Sequence, residues 1–202
     1  MFALDETISN VALPYMAGSF SVSHTESTWV VTSYLIASGI IIPTVDFCCK
    51  KIGRTKFFML AILVFTVSSF FCGISNSIGM IIISRFIQGL GGGALLPLSQ
   101  SIMLESFPKE ERIKSMALFG FGVVMAPIIG PALGGWITET WAWPFIYYIN
   151  IPIGIIVLLI APHLLEEPPY AKKQKNVSMD FVGFFLLCLW LITLQIFLDK
   201  GN

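Results

Sequence analysis

The sequence predicts an all-α membrane protein: a bundle of spanning helices with one further helix after it. Three observations predict this. Mean hydropathy is +0.82 and 12% of the 202 residues are charged, about half the share usual in soluble domains. Six apolar runs each approach the roughly 20 residues that a helix needs to cross the hydrocarbon. Basic residues cluster in alternate connections, the pattern of a chain that crosses repeatedly in a fixed orientation.

The runs are Trp29–Cys49, Phe57–Gly73, Ile78–Leu104, Met116–Ile137, Phe145–Leu165 and Phe181–Leu198. Lys50, Lys51, Arg54 and Lys56 fall in one connection, Lys109, Arg112 and Lys114 in a second, and Lys172, Lys173 and Lys175 in a third. These are ten of the twelve basic residues, and they place the three connections in the cytoplasm. The third connection separates the last run, Phe181–Leu198, from the five before it. The first segment, "MFALDETISNVALPYMAGSF", carries Asp5, Glu6 and Asn10 and is too polar for a clear span. The alternation nevertheless requires a crossing there, as for a first helix that is incomplete.

Acidic and basic residues balance at 12 each, so net charge points to no nucleic-acid partner. Cys48, Cys49, Cys72 and Cys188 lie in apolar runs at spacings that fit neither a disulfide framework nor a zinc site, and read as small buried hydrophobes. No nucleophile–base pair, metal-binding helix motif or phosphate loop stands out, which leaves an enzyme without support and no cofactor or metal expected.

Arg85, in "IIISRFIQGLGGG", is the sharpest signal, because an arginine at membrane depth normally faces a bundle interior or a wet cavity. Gln88 at i+3 and Gly92 at i+7 share its face. Asp5 is the natural counter-ion, and a carboxylate–guanidinium pair in a cavity can change protonation as its distance or hydration changes. Two readings stay open for Asp5, the second being a helix cap or a solvated terminus. For Arg85 the alternative is a purely structural ion pair. In "PTVDFCCKKIGRTK", Gly53 marks a tight turn, and Asp46 and Lys50 are spaced to pair along a helix. In "GVVMAPIIGPALGGWI", Gly122, Ala126, Gly130 and Gly134 recur every four residues as a ridge of small side chains, with Pro127 and Pro131 beside it and Gly135 after it. Such a ridge lets another backbone approach closely.

Taken in order, "LDETISNVALP", "RFIQG", "APIIGPALGG", "INIPIG" and "LDKG" resemble motifs of the major facilitator superfamily, most closely the EmrB/QacA-type drug:proton antiporters with 14 helices. The resemblance implies a six-helix N-terminal bundle over 1–165 with its first helix incomplete, a cytoplasmic loop over 166–179 and an additional, seventh helix over 180–202, in the inner (cytoplasmic) membrane and surrounded by lipid. It implies drug:proton antiport, with Asp5 and Arg85 in proton coupling and Gly122–Gly135 governing closure against a second bundle. Asn10, Gln88, Ser99 and Gln100 are the candidate cavity-liners for small amphipathic or cationic substrates. Some relatives in the family work with a periplasmic adaptor protein. The family's loop motif is altered here, with Asp46 and Lys50 in place of its first glycine and its aspartate, while Gly53 and Arg54 match. The family pattern also implies that the chain is the N-terminal portion of a transporter. A non-transporting fragment or scaffold is the alternative, and a nutrient importer is a further one that the antiporter motif disfavours.

Overall fold

The structure is a computed structural model that describes residues 1–165 and 180–200, the side chains of 198–200 excepted. The predicted cytoplasmic loop over 166–179 and the terminal Gly201 and Asn202 lie outside the described residues, as do the side chains of the "LDKG" motif. The described residues form helices α1 (Phe2–Phe20), α2 (His24–Ile41), α3 (Val45–Ile52), α4 (Arg54–Gly73), α5 (Ile78–Ser106), α6 (Arg112–Thr140), α7 (Phe145–Tyr148), α8 (Asn150–Leu164) and α9 (Phe181–Lys200).

Local chemistry sets the ends. Ser23 and Glu26 form a reciprocal capping box, so α2 starts at His24, five residues before the predicted Trp29. A short 3-10 turn, Ile42–Thr44, separates α2 from α3 at Pro43, which lacks the N–H that a continuing helix needs. Gly53 then sits at φ 102°, ψ 142°, a conformation that side chains resist. The cytoplasmic turn predicted around four basic residues is therefore one residue wide: Lys50 and Lys51 end α3, and Arg54 and Lys56 begin α4. Ser77 caps α5. The predicted run Phe145–Leu165 is broken into α7 and α8, with Pro144 at the N-cap of α7 and Pro152 in the first turn of α8.

The polar first segment is helical over 19 residues, about 28 Å at 1.5 Å per residue. Among the described residues five helical segments are long and apolar enough to cross a membrane, and α1 is not one of them. Pro127 and Pro131 leave α6 a single helix of 29 residues; each removes one backbone hydrogen bond without ending it.

α5 sits between α2 and α4, α1 lies between α2 and α6, α8 packs on α4, and α9 rests on α2. Two apolar cores result. Towards the non-basic end lie Ile8, Met16, Val30, Ile81, Ile146 and Tyr147. Towards the basic end lie Tyr34, Phe57, Ile62, Phe65, Ala94 and Leu98. Of the cysteines, Cys72 is buried, whereas Cys48, Cys49 and Cys188 are half-buried, because they lie on helix faces that no neighbour covers fully.

Candidate functional site

A polar layer occupies the level between the two cores. α1 presents Asp5, α4 presents Ser69, α5 presents Arg85 and Gln88, and Asn150 stands at the first position of α8. All five are at most 2% exposed. Asp5 Oδ2 pairs with Arg85 Nη1. Its other oxygen, Oδ1, accepts from Asn150 Nδ2 at 2.6 Å and from Gln88 Nε2 at 3.1 Å. Gln88 is fully used: Nε2 also donates to Ser69 Oγ at 2.7 Å, and Oε1 accepts from Arg85 Nη1 at 2.7 Å. Arg85 Nε donates to the Val30 carbonyl at 3.2 Å. The guanidinium lies 4.0 Å from the centre of the Tyr34 ring and 5.5 Å from that of Tyr147, close enough for cation–π attraction.

One carboxylate and one guanidinium cancel in charge. A buried pair is tolerated when further hydrogen bonds satisfy the remaining lone pairs and donors. Here Gln88, Asn150 and the Val30 carbonyl do so, while Arg85 Nη2 has no hydrogen-bond partner among the described residues. With two charges sealed from water, opening or protonating one member alters the electrostatics of the whole layer.

The remaining candidates separate. Asn10 is exposed and donates to the Glu6 carbonyl of its own helix, outside the polar layer. Gln88 belongs to the ion-pair layer and is closed off. Ser99 lines a cavity of about 370 Å³ with Phe2, Ile62, Leu95, Gly122 and Ala126. Gln100, next in sequence, is exposed and does not line it.

The small-residue ridge divides too. A Cβ on Gly130 would lie 2.1 Å from Thr7 Oγ1, and one on Gly134 would lie 3.2 Å from the Ile8 carbonyl. This half packs on α1, and Ala126 accepts a long 3.5 Å hydrogen bond from Thr7. Gly122 and Gly135 have nothing within 4 Å of a Cβ, and Pro127 and Pro131 are exposed. The four-residue ridge predicted for one partner therefore serves two surfaces, α1 and the cavity.

At the basic end Asp46 and Lys50 pair at 2.5 Å on an exposed face of α3. Arg54 turns inward and pairs with Glu105 at the end of α5, and Ser101 Oγ donates to the other oxygen of Glu105 at 3.2 Å. Sequence reasoning overlooked Glu105, Asn150, Ser69, Tyr34 and Tyr147. Asn150 had a usable signal, an amide inside an apolar run between two isoleucines.

The Major Facilitator Superfamily profile matches residues 1–198. This chain belongs to that superfamily. It is 40% identical over all its 202 residues to the multidrug export protein EmrB of Escherichia coli K12, and 40% identical to the fatty acid resistance protein FarB of Neisseria gonorrhoeae. It is 42% identical to the probable multidrug resistance protein EmrY of E. coli K12. The chain spans 39% of the length of each. Among solved structures, the inward-open xylose transporter XylE of E. coli aligns over 99% of this chain and 54% of its own, with a TM-score of 0.69 at 18% identity. A bacterial homologue of the lysosomal transporter Spinster aligns over 83% and 42%, with a TM-score of 0.67 at 20% identity. At such identity these neighbours bear on the fold, an all-helical major facilitator bundle. The chain is a multi-pass membrane protein of that superfamily.

Proposed function

We propose that this chain is the N-terminal bundle of an efflux transporter of the inner membrane, which expels small amphipathic or cationic compounds in exchange for protons. The observation that carries the proposal is the sealed Asp5–Arg85 pair, held by three other helices at one level of the bundle. A buried charge pair of this kind is a functional site by default in a membrane. The 40–42% identity to proteins named for multidrug export and resistance supports outward transport, and the apolar cavity beside Ser99 and Gly122 is of a size that suits a small amphipathic molecule.

In this mechanism a proton reaching Asp5 releases Arg85 from its counter-ion, and the layer rearranges. Alternating access in such transporters is rocking of one bundle against another. The uncovered face of α6, bearing Leu118, Phe121, Val124 and Ile128, is the surface on which a second bundle would close.

The test places Asp5→Asn and Arg85→Ala in a full-length transporter that contains these 202 residues. Drug-induced proton release from everted vesicles is expected to vanish in both while membrane protein level stays similar. Retained drug-dependent proton release in either variant rejects the assignment.

A further inference from the structure

We infer that Asn150 is a positioning residue that holds Asp5 in its ion-paired, anionic form and ties the break between α7 and α8 to that pair. The inference rests on the coupling reading of Asp5. Asn150 is 1% exposed, and its Nδ2 donates to Asp5 Oδ1 at 2.6 Å, on the oxygen opposite the one taken by Arg85. Hydrogen bonds given to a carboxylate favour its charged form. Gln88 gives the same oxygen a longer bond of 3.1 Å and divides its amide between Asp5 and Ser69, so Asn150 makes the shorter contact and spends its donor there.

Its place in the chain gives this contact mechanical consequence. α7 ends at Tyr148 and α8 begins at Asn150, with Pro152 two residues on. Proline carries no N–H, so the helical bond that residue 152 would donate back across the break is missing. Tyr147, on the other side of the break, faces Arg85 at 5.5 Å. One broken segment therefore touches both members of the pair, Asp5 through Asn150 and Arg85 through Tyr147.

The charged and titratable groups facing Asp5 are Arg85 from α5, Tyr34 from α2, Cys72 from α4 and Tyr147 from α7, with Glu6 and the Met1 amino group on α1 itself. α6 presents Gly130 and Gly134 to α1 next to this level. Removing the Asn150 amide leaves all of these in place, so the effect of the amide can be read separately.

The experiment follows the protonated-carboxyl infrared band of the 202-residue chain in lipid vesicles during a pH titration, with the band assigned by its loss in Asp5→Asn. In Asn150→Leu, which keeps the branched outline of the side chain and loses the donor, the pH of half-development is expected to rise by about one unit, a tenfold change in proton concentration. Asn150→Ser, which falls short of Asp5, is expected to move it the same way and serves if the leucine variant does not insert. Ser9→Ala removes an equally buried hydroxyl that bonds the Asp5 carbonyl rather than its carboxylate, and should leave the midpoint in place. An unchanged midpoint in helical, inserted Asn150 variants overturns the inference, and so does the absence of the band in the parent and the variants alike. Failure of the coupling reading appears elsewhere, as proton release retained by the Asp5→Asn transporter.

Discussion

α5 and α6 are both helices of 29 residues, both rich in glycine and both interrupted by proline, yet they occupy opposite environments. In the most apolar stretch of α5, 56% of residues are buried; in that of α6 the share is 6%. Glycines of α5 meet backbone on two sides. A Cβ on Gly89 would lie 2.5 Å from the Tyr34 carbonyl, and one on Gly91 would lie 2.7 Å from the Ala61 carbonyl. In α6 the close approaches are confined to Gly130 and Gly134 against α1, and Gly122 stands at an open cavity. Small residues permit close packing without saying which face is packed. In α5 they let three helices converge around Arg85; in α6 they seat α1 and leave the rest of the surface free.

The largest expected effect breaks α5 at its charge. Arg85→Met leaves Asp5 buried without a counter-ion and should cost about 3–5 kcal/mol, read as a lower midpoint when helicity is followed by circular dichroism during detergent denaturation. Next is packing. Gly91→Ala drives a methyl into the backbone of α4 and should cost about 1–3 kcal/mol in the same measurement. Gly122→Ala, by contrast, meets open space. It should leave the midpoint unchanged or raise it by up to about 1 kcal/mol through helix propensity. Equal losses at Gly91 and Gly122 would remove the distinction between the two helices. The smallest effect belongs to the exposed Asp46–Lys50 pair, where Asp46→Ala should change stability by less than about 0.5 kcal/mol.

The apolar helices and the Asp5–Arg85 pairing were legible because each rests on a local or compositional signal. Apolar length marks a helix, and opposite charges at membrane depth must be reconciled somewhere. Gln88 was legible for a related reason, since helical spacing places it beside Arg85 on the same element. Ser69, Tyr34 and Tyr147 were not, because each comes from a different helix and none is unusual where it stands in the sequence; Asn150, an amide in an apolar run, stood out, but nothing along the chain paired it with Asp5. Glu105 was hidden likewise, its partner Arg54 lying 51 residues away. Asn10 and Gln100 were chosen for polarity alone, and neither lines the cavity or enters the polar layer.

By itself the sequence determined that this is a helical membrane bundle and that a buried charge needs a partner. Solvent chemistry decides those matters, since hydrocarbon rejects charge and unpaired backbone wherever the chain runs. Tertiary structure decided which oxygen of Asp5 each amide takes, which glycines carry a neighbour, and that Asn150 stands at the break beside the pair. Those outcomes depend on how separate helices rotate and approach one another, and the spacing of residues along one helix does not fix that rotation.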